Sequence, residues 1–341
     1  MATITREALR SDMLTPRAAP RKSFLRLANP YLYLIPAVIV MTVMTYYPMA
    51  YGVWMSFTDY GLKNLRIDSA PPTFVGLQNY IDILTGSIAI PNFDFFYTLF
   101  FNLFWTFSNV IFHVVLGVLI AVLLNAKGLW FKGIYRAIFV LPIVIPTLVV
   151  ANVWRNMFDP DFGAINQALA MLGGLIGISP ATFHIRWIES VNPPIPGVPL
   201  PLAYFALLIT NIWLGWPFMT IVATGALQSI SKDFYEAAAI DGASPVQQFF
   251  RITIPLLRPA MVPAIVYGIT LTFNLFNLIY FVSGGGPLRE TEILVTTAFR
   301  LVNEQRMYGV AAAFAVLIAL ILLVITLITN WISRATESYD V

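Results

Sequence analysis

The stretch EAAAIDGASP (residues 236–245) and the RITIP that follows it (residues 251–255) lie between two long apolar runs of this chain. A polar stretch of this length must lie outside the hydrocarbon of a bilayer, since charged side chains are costly there. Its alanine and glutamate residues favour helix, and Ala237–Ala239 presents a smooth surface to another protein. The sequence therefore predicts a membrane protein with a folded docking element on which a partner exerts force.

The composition supports the membrane assignment. The 341 residues are 58% hydrophobic and 11% charged, against about 25% charged in soluble proteins, and the mean hydropathy is +0.77. The net charge of +3 is too small to indicate a nucleic-acid partner. The chain has no cysteine, which excludes disulfides and thiolate metal sites.

Six apolar runs reach the length of about 20 residues that a spanning helix needs or come close to it. They show no alternation of period two, so we predict an all-α membrane protein rather than a barrel. The predicted spans are residues 31–57, 95–124, 137–154, 201–227, 259–281 and 310–332. They form a domain over residues 30–334, between a basic tail (1–29) and a short C-terminal tail (335–341).

The distribution of Lys and Arg predicts the orientation. Thirteen of the twenty lie in the N-terminal tail and after the second, fourth and sixth spans. Because short cytoplasmic loops carry the excess of positive charge, both termini and the loop 228–258 are predicted to be cytoplasmic.

Proline occurs inside several predicted spans, where it removes a backbone donor and bends the helix. Two interpretations stay open: proline is common in spanning helices, or the bent helices line a pathway that rearranges. The prolines concerned are Pro36, Pro48, Pro142, Pro146, Pro217 and Pro263.

The loop 228–258 has the signals of two short helices. Ser231 can cap the first helix and Gly242 can end it, and Ser244-Pro245-Val246-Gln247 has the pattern of a capping box with proline at the first helical position. Pro255 and Pro259 mark the predicted handover to the fifth span. An amphipathic connector lying in the headgroups is the alternative.

Glu236-Ala237-Ala238, Asp241-Gly242-Ala243 and Ile252-x-Ile254-Pro255 resemble the cytoplasmic signature of permeases in binding-protein-dependent ABC importers. From about Leu32 onward the chain is similar to the larger permease of maltose/maltodextrin transporters. The further matching motifs are Tyr135-Arg136 with Leu141-Pro142, Phe162-Gly163-x-Ile165-Asn166, Asn211-x-Trp213-Leu214-Gly215-x-Pro217, and Asn274–Tyr280 followed by Gly284-Gly285-Gly286-Pro287.

This resemblance implies the type I ABC importer permease architecture, in a prokaryotic plasma (inner) membrane. It implies a second permease, two ATPase subunits and a periplasmic or lipid-anchored solute-binding protein as partners, and alternating access as the mechanism. ATP and Mg would bind the ATPase, so this chain would be no enzyme and would bind no cofactor.

The resemblance also implies two sets of site residues. The ATPase-coupling residues are Glu236, Ala237, Ala238, Asp241, Gly242, Ala243, Ile252 and Pro255. The substrate-pathway residues are Ile143, Asn211, Leu214, Gly215, Phe218, Gly268, Leu271, Thr272 and Leu275. A Tyr of the family is matched by Ile143, two Asn by Thr272 and Leu275, and a Ser by Gly268. With fewer hydrogen-bonding groups, the sugar differs from maltose or the membrane site binds weakly.

Other functions fit the sequence less well. Gly128 and Gly133 have the spacing of a Walker A motif, but Ile134 stands where lysine is required. An ion-coupled secondary transporter needs charged groups in its spans, which here hold only His113, interpreted as a neutral packing residue. A membrane glycosyltransferase needs clustered acids, whereas Asp159, Asp161 and Glu189 are scattered.

The substrate is left open by the sequence. Maltose and maltodextrins lead, followed by trehalose, sucrose and other glucosides, while glycerol-phosphate lacks an Arg or Lys in the predicted lumen to meet its phosphate. Asn274, Asn277 and Thr272 have a second interpretation as hydrogen-bonding contacts between helices.

Overall fold

A computed structural model describes residues 32–66, 68–88, 90–126 and 128–333. The predicted tails 1–29 and 335–341 lie outside these residues. The chain divides into two compact units between Gly52 and Val53. Among the described residues there are helices and turns but no strand, and a single antiparallel bridge pairs Thr58 with Phe74.

The N-terminal helices lead into a short connecting segment. The elements in order are α1 (Ile35–Met41), a π-helical turn (Thr42–Tyr46), α2 (Tyr47–Met55), a 3-10 turn (Leu62–Asn64) and α3 (Gln78–Thr85).

The 3-10 turn and α3 lie in the second unit, as do all the remaining helices. They are α4 (Phe95–Asn125), α5 (Lys132–Val144), α6 (Thr147–Met157), α7 (Ala164–Leu175), α8 (Leu202–Ser229), α9 (Lys232–Ile240), α10 (Pro245–Gln248), α11 (Ile254–Phe273), α12 (Phe276–Val282), α13 (Leu294–Asn303) and α14 (Tyr308–Ser333). A 3-10 turn covers Pro180–Phe183 and a second π-helical turn covers Phe249–Thr253.

Five helical segments of the described chain are long and apolar enough to cross a membrane. They overlap the predicted first, second, fourth, fifth and sixth spans, although the fifth begins at Pro245 rather than at residue 259. Their bounds are Ile35–Met55, Phe95–Asn125, Leu202–Ser229, Pro245–Val282 and Tyr308–Trp331. The all-α membrane prediction is therefore confirmed.

The predicted third span (137–154) is broken rather than continuous. Helices α5 and α6 meet at an angle of 96°. The break lies at Ile145, which has extended backbone, and at Pro146. Proline lacks an N–H and disfavours helical geometry in the residue before it, so Pro146 ends α5. Pro142, by contrast, stays inside α5.

At Pro255 and Pro259, where the handover to the fifth span was predicted, the helix does not break. Helix α10 continues through the π-helical turn into α11 without a loop. Each of the two π-helical turns ends two residues before a proline, at Tyr46 before Pro48 and at Thr253 before Pro255. The wider turn accommodates the missing proline N–H without interrupting the helix.

The core of the second unit is built around α4, which packs on α8 and α11. Gly117 of α4 allows a close crossing: a Cβ there would overlap the Cβ of Met219 and lie 3.0 Å from the backbone of Met219 and Thr220. The core contains three apolar clusters, and Met219 belongs to the last of those given next. One joins α3, α13 and α14, one joins α6, α8 and α12, and one joins α4, α8 and α11.

Candidate functional site

A cavity of about 340 Å³ lies among α4, α5, α6, α8 and α11. All nine residues predicted for the substrate pathway line it. The sequence analysis did not assign a further six lining residues to the pathway: His113, Pro142, Ile145, Thr147, Met219 and Tyr267.

The secondary structure explains why these residues meet. Asn211, Leu214, Gly215 and Phe218 follow the spacing of one face of α8. The break between α5 and α6 places Ile143, Ile145 and Thr147 at the cavity wall. Pro146 was the sequence signal for the helix break that forms this wall. The sequence did not show where in the fold that break lies.

The end of α11 is held by side chains from α4. Trp105 donates through Nε1 to the carbonyl of Thr272 at 3.2 Å, and Asn102 donates to the carbonyl of Phe273 at 3.2 Å. The amide oxygen of Asn102 also accepts from the backbone N–H of Leu294 at 2.9 Å. These contacts satisfy backbone groups where the helix ends, and they fix Thr272 and Leu275 beside the cavity.

The polar groups of the cavity are uncharged in type, apart from the imidazole of His113. No Asp, Glu, Lys or Arg is among the described residues that line it. Asn211 and Thr272 are buried, and the Nδ2 of Asn211 has no hydrogen-bond partner. A mostly apolar wall with a few polar groups is typical of a small-molecule site.

The predicted coupling loop forms two helices with the expected caps. The hydroxyl of Ser231 accepts from the N–H of Asp233 at 3.2 Å, and Ser244 forms a capping box with Gln247. Between them Gly242 has a φ of +80°, which turns the chain after α9. A Cβ at Gly242 would meet nothing within 4 Å, so the backbone conformation alone calls for glycine.

Six of the eight predicted coupling residues lie on α9 or in this turn, while Ile252 lies in the π-helical turn and Pro255 in α11. Glu236, Ala237, Asp241, Gly242 and Pro255 are exposed, while Ala238, Ala243 and Ile252 are partly buried. Large apolar side chains stand exposed beside them: Phe234 (55%), Ile240 (88%), Val246 (66%) and Phe250 (65%). An exposed apolar patch on a polar loop is typical of a protein-binding surface.

The loop before α13 contains a buried carboxylate. Glu292 is 2% exposed and pairs with Arg289, at 3.0 Å, and with Arg300. Arg300 also donates to the carbonyl of Gly284 and pairs with Glu304. This network ties the Gly284–Gly286 turn, where Gly284 and Gly285 have positive φ, to α13. The sequence analysis did not predict this ionic anchor.

The profile of a family described as binding-protein-dependent transport system inner membrane component matches residues 113–338. The chain belongs to this family. It is therefore a permease, a multi-pass protein of a prokaryotic inner membrane and a transport subunit rather than an enzyme. The matched region includes the coupling loop and every residue that lines the cavity.

Two relatives match this permease along most of its length. The galactooligosaccharides transport system permease protein GanP of Bacillus subtilis (strain 168) is 32% identical over 91% of this chain and 70% of that protein. The trehalose/maltose transport system permease protein MalF of Thermococcus litoralis is 32% identical over 89% of this chain and 93% of that protein.

A solved structure shares the fold of the permease. It belongs to a bacterial ABC transporter involved in the import of the acidic polysaccharide alginate, with a TM-score of 0.72 and 23% identity over 93% of this chain and 99% of that chain. This likeness confirms the predicted type I importer architecture.

Proposed function

We propose that this permease forms one half of the pathway of an ATP-driven importer for neutral sugars. Maltose, maltodextrins or a related α-glucoside are the first candidates, delivered by a solute-binding protein. The observation that carries the proposal is the cavity, since residues assigned to sugar contact by resemblance converge there from three separate parts of the chain.

The chemistry of the cavity fits a sugar. Asn211, Thr272 and His113 offer hydrogen bonds to hydroxyl groups, while Phe218 and Tyr267 stack against each other, with centroids 5.6 Å apart, beside apolar residues. Aromatic and apolar surfaces suit the less polar faces of sugar rings. The names of the relatives, which refer to galactooligosaccharides, trehalose and maltose, agree with this substrate class.

Charge argues against the alternatives. Binding of glycerol-phosphate calls for a cationic side chain next to its phosphate group, and the described lining has no Arg or Lys. An ion-coupled transporter would want buried Asp, Glu or Arg near the centre of its spans. Trehalose, sucrose and other neutral glucosides remain compatible with the same cavity.

The proposed partners are a second permease, two ATPase subunits that bind ATP and Mg, and a solute-binding protein. In this proposal the loop 228–258 and both termini are cytoplasmic, and the patch around α9 docks on the ATPase. The solute-binding protein docks on the opposite face. Support for the ATPase site comes from the exposed Ile240 and Val246 beside the Gly242 turn.

The proposed mechanism is alternating access. ATP-driven closure of the ATPases moves α9 and the turn at Gly242. Since α10 and α11 form one helix, the motion reaches Gly268 and Thr272 at the cavity wall. The cavity then opens in turn to the solute-binding protein and to the cytoplasm.

Reconstitution tests this function. The permease would be assembled in proteoliposomes with candidate partner subunits, and ATPase activity and uptake would be measured with maltose, maltotriose, trehalose and sucrose. Stimulation by the solute-binding protein plus one of these sugars is expected. An intact complex that responds to glycerol-phosphate and to no sugar would refute the assignment.

A further inference from the structure

His113 reaches from α4 to the backbone of α8 at the wall of the cavity. Its side chain is 3% exposed, and its Nε2 lies 2.9 Å from the carbonyl oxygen of Asn211. A carbonyl can only accept, so the imidazole donates through Nε2. In the neutral ring the acceptor lone pair is then on Nδ1.

The ring of His113 covers Gly215, one turn further along α8. A Cβ on Gly215 would overlap three ring atoms of the imidazole. Both residues line the cavity. The imidazole thus occupies the space that a side chain at position 215 would fill. Its ring nitrogens are polar groups of a kind that Gly215 lacks.

The Nδ1 of His113 is the polar atom of this contact that a ligand can reach. The Nδ2 of Asn211 also has no hydrogen-bond partner among the described residues, but that atom is buried and the residue is 3% exposed. Since no described residue occupies the lone pair on Nδ1, a sugar hydroxyl in the cavity can donate to it.

We propose that His113 is a specificity-determining residue of this permease. Its Nδ1 engages one sugar hydroxyl, which donates its hydrogen to the lone pair of the ring. The inference rests on the proposed sugar transport and deepens it. It makes the cavity wall at His113 selective for a neutral hydroxyl, because a lone pair on Nδ1 repels an anion.

The first test uses the unaltered complex in proteoliposomes with saturating solute-binding protein. Uptake of maltose is compared with uptake of its monodeoxy analogues, each lacking one hydroxyl. Removal of the engaged hydroxyl leaves Nδ1 of His113 unpaired, so one analogue is expected to enter about tenfold more slowly. Equal uptake of every analogue would overturn the inference without any variant.

The second test removes the acceptor. In His113→Gln the amide nitrogen keeps the donor to the Asn211 carbonyl, but the Nδ1 lone pair is lost. Maltose uptake is expected to fall about tenfold, while the sensitive monodeoxy analogue enters at the same rate as in the unaltered complex. An equal loss for maltose and for that analogue would show that His113 acts only on the fold.

The third test uses the contact between the imidazole and Gly215. Gly215→Ala is expected to displace the ring and lower uptake strongly, but to have little effect in a His113→Ala background, where the methyl group has room. Equal losses in the two backgrounds would contradict the inference. Absence of uptake of any sugar by the unaltered complex would overturn the proposed function, and this inference with it.

Discussion

The hydroxyl oxygens of Tyr235 and Thr253 lie 3.0 Å apart and share a hydrogen bond. Tyr235 belongs to α9, and Thr253 is the last residue of the π-helical turn that leads into α11. Thr253 is 5% exposed, so the bond is shielded from water on one side. Helix α9, the proposed docking helix, is thereby joined to the helix that carries Gly268 and Thr272, in addition to the chain connection at Gly242.

Tyr235→Phe removes this bond and keeps the ring. We expect fewer sugar molecules transported per ATP hydrolysed, with unchanged basal ATPase activity. The reason is that the interaction free energy between the two helices falls by about 1 kcal/mol. The ratio of uptake to phosphate release measures the transport per ATP. Thr253→Val should have the same effect and the double variant no more; additive losses would contradict a shared bond. Tyr33→Phe, at an exposed position, is the matched control.

Gly242→Ala tests the turn after α9. Alanine at a φ of +80° is strained by about 1 kcal/mol or more, so the turn should reshape and the ATPase should dissociate from the permease. Co-purification of the ATPase and sugar uptake are the measurements. Gly225→Ala is the control, because Gly225 lies inside α8 with nothing within 4 Å of a Cβ. Full ATPase retention in Gly242→Ala would place the docking surface elsewhere.

Glu292→Gln tests the buried ionic anchor. The substitution leaves Arg289 and Arg300 without their shared carboxylate, and the loss of one partner of a buried pair costs about 3 kcal/mol. The midpoint temperature of thermal unfolding of the detergent-solubilised permease should fall by several degrees. Glu189→Gln breaks the exposed pair with Arg186 and should cost less than about 1 kcal/mol. Similar shifts for the two variants would mean that the network adds little.

Gly117→Ala tests the close crossing of α4 and α8. The added methyl group meets the backbone of Met219 and Thr220, which cannot rotate away, so the helices must separate at a cost of about 1–3 kcal/mol. Thermal stability should fall and the cavity should widen. Gly133→Ala, where a Cβ has open space at the start of α5, should be neutral or slightly stabilising. Equal stability of both variants would argue against tight packing at Gly117.

The length of the apolar runs and their lack of period-two alternation were enough to predict the helical spans, because a bilayer leaves few other solutions. The caps at Ser231 and Ser244 were predictable for a similar reason: they depend on neighbouring residues only. The angle at Ile145–Pro146 was not predictable, since proline is compatible with either a bend or an end, as Pro142 inside α5 shows.

The candidate site, too, was predictable from the sequence only in part. The nine pathway residues came from resemblance, and no pattern in the chain alone would have brought Ile143 beside Asn211. His113 was treated as packing because a lone histidine in a span gives no indication of its neighbours. Its role depends on Gly215, 102 positions further along the chain, and only the fold places the two together.

The absence of a break between α10 and α11 has a mechanical consequence. From Pro245 to Phe273 the helix is about 40 Å long at about 1.5 Å per residue. A rigid rod of that length, pivoting at one end through about 5°, displaces its other end by about 3–4 Å, which is roughly the width of a water molecule. Leverage of this kind lets a small movement at the docking surface change what fits at Thr272. The π-helical turn at Phe249–Thr253 lies next to the pivot. If this turn bent instead of moving with the helix, the movement would not reach Thr272.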